Sequence, residues 1–145
     1  MTSMTVNGQV PGHGDERADV ELKVPADSAY VSVLRTTTAG LAARLDFTID
    51  DIEDLRIAVG EACAMVLPEA APDADLWCRF GLGDGVMVVR VSVDTAGQPA
   101  VDEDSFAWQV LATLASEASA EATAGSLEVR LVMRTEVASG AGSTR

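Results

Sequence analysis

The stretch DLRIAVGEACAMVL, residues 54 to 67, has the spacing of an amphipathic helix and carries a single internal carboxylate, Glu61, among small apolar residues. Leu55, Val59 and Val66 recur at helical intervals and form its core stripe. At 100° per residue, Glu61 projects to the opposite side of the helix. That side is predicted to be the wall or floor of a groove, and its members are Asp54, Ile57, Ala58, Glu61 and Met65.

The segments on either side of this helix predict a single domain. Thr48, with Asp51 three residues later, predicts the start of the helix as a carboxylate variant of the capping box, and Pro68 limits its length. The remaining predicted elements are a strand at 20–24, a helix from Asp27 or Ser28 to Leu45, strands at 76–82 and 86–94 joined by the turn GDG, a helix over 104–122 and a strand at 126–134.

Each of these elements has one apolar face, which predicts an α+β fold: a two-layer α/β sandwich with three helices on one side of a mixed sheet of about four strands. Residues 19–137 are assigned to this domain. Residues 1–18 and 138–145 lack periodicity and are predicted to be disordered tails. Trp77 alternates out of the apolar row of its strand and is expected on the open face of the sheet.

Composition excludes several classes of function. A formal net charge of −13 disfavours direct nucleic acid binding and suits a basic protein partner. His13 is the only histidine, so histidine-dependent triads are excluded. Cys63 and Cys78 fall inside apolar patterns and are predicted to be buried thiols rather than metal ligands. No apolar run is long enough to span a bilayer, which predicts a cytoplasmic protein.

The segment LRIAVGEAC behind its threonine cap, within this order of elements, resembles the anti-sigma factor serine kinases of the GHKL superfamily, which share the histidine-kinase-like ATPase fold. The similarity is to the divergent branch found in high-GC Gram-positive bacteria and extends from about Val20 to Glu136. The stretches SVLRTTTAGLAARLDFT and SFAWQVLATLAS match that branch in kind and position. The resemblance implies an anti-sigma factor that binds an RNA polymerase sigma subunit, is released by an anti-anti-sigma protein of the STAS type, and forms a homodimer.

The same resemblance assigns roles to individual residues. Glu61 occupies the position of the family's general base for a substrate serine. Met65, one turn later, occupies the position of the asparagine that coordinates the magnesium of ATP, and a thioether is a poor ligand for that hard ion. Asp94 fits the aspartate that holds the adenine amino group, but the following turn keeps only Gly97, displaced by one residue.

The family's third nucleotide element is a pair of glycines at the opening of the last helix. Here that helix opens as DSFAWQ behind the acidic residues Asp102, Glu103 and Asp104, which would repel a triphosphate. ATP and magnesium are therefore predicted not to be bound, and no metal ligands are assigned. Trp108 is predicted to lie opposite the stripe of Phe106, Val110 and Leu114, lining the groove or facing a partner, unless the preceding loop covers it. The predicted nucleotide or ligand pocket comprises Asp54, Ala58, Glu61, Met65, Asp94, Gly97 and Trp108.

Three interpretations of function remain open. The first is the anti-sigma factor with a degenerate ATP site, in which Arg35, Arg44 and Arg56 are candidates for contacting an acidic patch on a protein partner. The second is an active serine kinase that phosphorylates the anti-anti-sigma protein with Glu61 and ATP. The third is a regulator whose altered pocket binds another nucleotide or small ligand.

Overall fold

A computed structural model describes residues 17–135 of the chain. Along the chain the elements are β1 (Val20–Pro25), a 3₁₀ turn (Ser28–Tyr30), α1 (Val31–Arg44), α2 (Ile49–Val66), a second 3₁₀ turn (Leu67–Glu69), β2 (Asp75–Gly83), β3 (Val86–Asp94), α3 (Phe106–Leu114), β4 (Glu117–Thr123) and β5 (Ser126–Arg134). The tails predicted at 1–18 and 138–145 lie almost entirely outside the described residues, so that prediction is not tested.

The predicted two-layer α+β sandwich is confirmed, with one difference in its sheet. The strands lie in the order β1-β2-β3-β5-β4. Every neighbouring pair is antiparallel, so the expected mixed sheet of about four strands is an antiparallel sheet of five.

The additional strand, β4, comes from a segment that was predicted to continue the third helix. In EASAEAT, residues 117–123, alanines alternate with polar residues, yet alanine and glutamate favour helix when read locally. The alanines pack against the core, and the whole segment pairs with β5 in continuous register. Pairing with a distant strand therefore outweighs the local helix preference.

Local chemistry defines the ends of the α1–α2 hairpin. Thr48 has extended backbone angles, and its side chain accepts a hydrogen bond from the backbone N–H of Asp51 at 3.1 Å, so α2 begins where the sequence predicts. Asp46 ends the preceding turn with φ of 63°.

In the β2–β3 hairpin Gly85 has φ of 72°, which a residue without Cβ adopts at little cost.

The core lies between the sheet and the helices. Leu55, Val59 and Val66 of α2 are fully buried, as the stripe predicts, and they belong to one cluster with the inward residues of the strands. The opposite face of the sheet carries no helix. On that open face Trp77 is half-buried, as predicted, with the Arg79 guanidinium 4.5 Å and the Lys23 amine 5.6 Å from its ring centre.

Within residues 17–135, no helix is both long enough and apolar enough to cross a membrane.

Candidate functional site

The outer side of α2 carries the residues that the sequence assigned to a groove. Glu61 and Met65 are one turn apart, and both are half-buried, as is Asp54. Ala58 differs, because it is fully buried within the core cluster. Ala58 is therefore not part of an open groove floor. Met65 also packs against the core, so its thioether fills space between elements.

A groove of about 300 Å³ opens beside Glu61, between α1 and α2. Its walls are formed by Arg35, Arg56, Ile57, Gly60 and Glu61. Ile57 is 47% exposed, which gives the groove an apolar surface between its charged groups. Two of the three arginines suggested for partner binding line it. Arg44 does not, because it lies in the last turn of α1, roughly 13 Å along the helix from Arg35.

Gly60 explains how Arg35 reaches this position. A Cβ added at Gly60 would lie 3.1 Å from Nη1 and 3.4 Å from Cδ of Arg35, so the arginine side chain lies directly over the glycine. Arg56 behaves differently, since its guanidinium is paired with Glu53 at 2.9 Å. The sequence reasoning missed Gly60. The sequence did carry a signal for this position: a glycine inside a helix destabilises that helix by about 1 kcal/mol relative to alanine, so its presence in α2 calls for a packing reason.

The two cysteines are buried thiols, as predicted. Burial raises the pKa of Cys63 to about 12, and the nearby Arg35 guanidinium opposes that rise. Burial also raises the pKa of Cys78 well above its ordinary value, and Cys63 adds to the shift. Both thiols are therefore protonated at neutral pH and are poor nucleophiles.

Asp94 lies at the end of β3, exposed to solvent and close to the C-terminal end of α2. The Ala71 N–H donates to the Asp94 carbonyl at 2.8 Å, and Ala70 bridges to Thr95. The following turn is closed by the Thr95 hydroxyl, which donates to the Gly97 carbonyl at 2.6 Å. A Cβ at Gly97 would meet nothing within 4 Å, so neither crowding nor a left-handed backbone explains the glycine there.

Backbone N–H groups at the start of α3 are hydrogen-bonded to nearby side chains. The Ser105 hydroxyl accepts from the Trp108 N–H at 3.1 Å, and the Asp102 carboxylate accepts from the Asp104 N–H at 2.9 Å. A helix N-terminus binds an anion through free N–H groups. Here one amide of the first turn is occupied internally, and carboxylates precede the helix.

The predicted orientation of α3 is wrong. Trp108 is only 9% exposed and belongs to the core, with Leu111 on the same side, whereas Phe106 is 82% exposed. The helix ends at Leu114 and is apolar on several sides, so periodicity did not distinguish the inner face. Trp108 thus reaches the interior as a core residue and does not line an open groove.

The positions that the resemblance assigns to magnesium and to phosphate carry other side chains here. In the part of the chain that the structure describes, no cluster of three or more His, Cys, Asp or Glu side chains could hold a metal ion. The side chain one turn from Glu61 is a thioether, and the N-terminus of α3 is capped internally by Ser105 and preceded by acidic residues.

Two solved structures share the fold of this chain. The solved structure of the RsbU and RsbW domains of Rv1364c from Mycobacterium tuberculosis matches with a TM-score of 0.62 at 22% identity, over 80% of this chain and 31% of that one. The histidine kinase domain of a blue-light activated kinase from Erythrobacter litoralis EL346 matches with a TM-score of 0.52 at 13% identity, over 78% of this chain and 62% of that one.

Sequence comparison then identifies the relatives. The chain is 41% identical over 76 residues to the serine-protein kinase RsbW of Bacillus velezensis, which is 50% of this chain and 48% of that protein. It is 37% identical over 75 residues to RsbW of Bacillus thuringiensis, over 50% of this chain and 47% of that protein. The chain therefore spans about half the length of the curated relatives it matches. No protein-family model matches it. The predicted resemblance to anti-sigma serine kinases is confirmed as a similarity to RsbW serine-protein kinases over about half of this chain.

Proposed function

We propose that this protein is an anti-sigma factor that sequesters an RNA polymerase sigma subunit and is released by an anti-anti-sigma protein of the STAS type. In this proposal it acts as a homodimer in the cytoplasm and transfers no phosphate. The similarity to RsbW proteins supports the partners. The observation that carries the loss of catalysis is Met65, half-buried against the core one turn from Glu61.

The loss of phosphoryl transfer rests on electrostatics. Such transfer requires cations or aligned amides to stabilise charge that develops on the phosphates. Met65 supplies no charge and only a weak, soft donor atom. The carboxylates of Asp102, Glu103 and Asp104 lie immediately before α3 and add repulsion. Glu61 could accept a proton, and Arg35 and Arg56 beside it carry positive charge, but neither arginine can take the place of the magnesium ligand.

The α1–α2 groove supports a protein-binding role. Arg35 forms no hydrogen bond or ion pair within residues 17–135, yet its stem is held over Gly60. A guanidinium positioned in this way recognises a carboxylate with little further loss of side-chain entropy. Ile57 supplies an adjacent apolar contact, and Val33 of α1 is also 41% exposed. A partner helix with an acidic residue beside an apolar one matches this surface.

The test is direct binding of the full chain to each sigma subunit of the source organism, measured by biolayer interferometry. We expect one subunit to bind with micromolar or tighter Kd and an anti-anti-sigma protein to displace it. Arg35→Glu should weaken binding at least tenfold, while the matched charge reversal Arg44→Glu, outside the groove, should change it less than threefold. If no sigma subunit binds, the proposal is wrong.

An active kinase is the second candidate, favoured by the presence of Glu61 and by the similarity to RsbW serine-protein kinases. Incubation with ATP, magnesium and the anti-anti-sigma protein, followed by intact mass measurement, separates it from the first. A mass gain of one phosphate that disappears in Glu61→Gln would establish the kinase. We expect no gain. The third candidate, a different small ligand, rests on the 300 Å³ groove and would appear as a thermal shift with a nucleotide other than ATP.

A further inference from the structure

The groove between α1 and α2 is lined by two charged side chains that have no bonded partner in the described part of the chain. These are Arg35 and Glu61, and within residues 17–135 neither side chain forms an ion pair or a hydrogen bond. The third charged group in the groove, Arg56, is different, because its Nη1 donates to both carboxylate oxygens of Glu53, at 2.9 and 3.2 Å. The groove therefore offers one uncommitted positive charge and one uncommitted negative charge.

Helix geometry places these two charges side by side without joining them. The Arg35 side chain crosses from α1 and lies against Gly60, with Nη1 3.1 Å from the position that a Cβ would take. Glu61 is the next residue of α2, so its side chain leaves the helix about 100° further round. Both side chains are half-buried, and packing of their stems has already removed part of their rotamer freedom.

The surroundings of the pair favour a ligand that contacts both charges. Half-burial removes part of the water around each charge, so a hydrogen-bonded counter-ion stabilises it more than it would a fully hydrated group. Ile57 is 47% exposed and adds an apolar surface beside both charged groups. Ala64, close to one turn beyond Glu61, is exposed and adds little bulk. One molecule can therefore reach both charges and the apolar side chain together.

We propose that Glu61 is a partner-binding residue, which forms an ion pair with a lysine or arginine of the sigma subunit beside the carboxylate that Arg35 binds. The occupant of the groove is then one helix of that subunit, with an acidic and a basic residue one turn apart. Residues at this spacing have Cβ atoms about 5–6 Å apart, which suits two neighbouring charges. This inference rests on the proposed function, and it gives Glu61 a role that requires neither ATP nor magnesium.

Charge complementarity favours this occupant over a purely acidic surface. The chain carries a net charge of −13, which attracts the basic surfaces that a DNA-binding subunit presents. An acidic patch alone would satisfy Arg35 but would set a carboxylate against Glu61, and like charges in a partly dehydrated contact weaken binding. A helix that carries both charges satisfies Arg35 and Glu61 at once, and an apolar residue between them covers Ile57.

Binding of the full chain to the sigma subunit in the absence of nucleotide tests the role of Glu61. Glu61→Gln keeps the shape of the side chain and should weaken binding about tenfold, and Glu61→Lys roughly a hundredfold, both mainly through faster dissociation. Asp50→Lys is the matched control. It lies on the same side of α2, roughly 16 Å along the helix from Glu61, and makes the same change in net charge as Glu61→Lys. It should alter Kd by less than about threefold, through the association rate.

Charge exchange between the two proteins is the decisive step. Each exposed lysine or arginine of the sigma subunit is replaced by glutamate and tested against Glu61→Lys. Each exposed aspartate or glutamate is replaced by lysine and tested against Arg35→Glu. We expect one position in each set to restore binding by about tenfold, and the two positions to lie three or four residues apart on one helix. Absence of a restoring position for Glu61→Lys, or two restoring positions in separate segments, would overturn the proposal.

The outcomes also separate this inference from the proposed function. If a sigma subunit binds and Arg35→Glu weakens the complex, but both Glu61 variants bind like the wild type, the inference is wrong and the anti-sigma function stands. The inference is equally wrong if the Glu61 variants alter only displacement by the anti-anti-sigma protein. If no sigma subunit binds the wild-type chain, both proposals are wrong. Circular dichroism and thermal unfolding of each variant show whether a loss of binding reflects misfolding, and Glu61→Gln keeps the test valid if Glu61→Lys does not fold.

Discussion

Replacing Met65 with asparagine introduces the residue type that the resembling kinase family carries one turn after its general base. The effect of this substitution on stability can be worked out from the packing of Met65. Met65 is half-buried against the core. Full burial of a methionine side chain contributes about 1.5–3 kcal/mol, so losing half of it costs about 1 kcal/mol. The lower helix propensity of asparagine adds about 0.5 kcal/mol. We expect the free energy of unfolding to fall by about 1.5 kcal/mol and Tm by about 5 °C.

The same variant should not gain ATP binding. The Trp108 amide at the start of α3 remains hydrogen-bonded to Ser105, and the acidic residues before that helix remain in place. Titration calorimetry with ATP and magnesium should show no saturable heat up to about 1 mM nucleotide, for the variant as for the wild type. Met65→Leu is the matched control, since it keeps the apolar volume and should change stability by less than about 1.5 kcal/mol. Micromolar, magnesium-dependent binding by Met65→Asn would show that this single position had disabled the site and would refute the reasoning about α3.

Three further measurements address the fold and its thiols. Thr48→Ala removes the cap of α2 and should lower the free energy of unfolding, measured by urea titration, by about 1 kcal/mol. Thr48→Ser keeps a hydroxyl and should be nearly neutral. Equal effects of the two variants would mean that the hydrogen bond from the Asp51 N–H contributes nothing. Trp108→Ala should destabilise by about 3–5 kcal/mol, and Phe106→Ala, at an 82% exposed position, by less than about 0.5 kcal/mol; the reverse order would restore the orientation of α3 predicted from sequence. Burial raises the pKa of Cys63 from 9.0 to about 12, so the thiol of the unfolded chain loses its proton at a lower pH than that of the folded chain. Between these two pH values the free energy of unfolding should therefore fall by about 1.4 kcal/mol per pH unit because of this thiol. A chain carrying Cys63→Ala should lose stability less steeply over that interval, and identical slopes would contradict the assigned burial.

Sequence reasoning was most accurate where a residue acts on its own neighbours. The cap at Thr48 and the turn at Gly85 each depend on interactions within a few residues, and both are present as predicted. The strands at 86–94 and 126–134 have clear alternation because one face of each is fully buried. At the site, the spacing of Glu61 and Met65 on one side of α2 was also predictable from helical geometry.

The errors have a common physical cause. Residues 117–123 form a strand only because β5 lies beside them, and Ala58 is buried only because other elements of the core pack over that side of α2. Neither neighbour is visible within a local window of sequence. Trp108 and Phe106 are two residues apart on a short apolar helix, so their relative burial depends on which side meets the core.

The amino-acid sequence by itself determined the helical hairpin with its cap and the apolar faces of four strands, since these depend on residue type and short-range spacing. That Met65 stands at a magnesium position is what the family resemblance implies. Only the tertiary structure decided that Gly60 admits Arg35 to a groove beside Glu61, that Trp108 fills the core, and that three arginines lie side by side on an open sheet face. Each of these features joins segments distant in the chain, and their relative positions follow from packing and strand register, which periodicity does not encode.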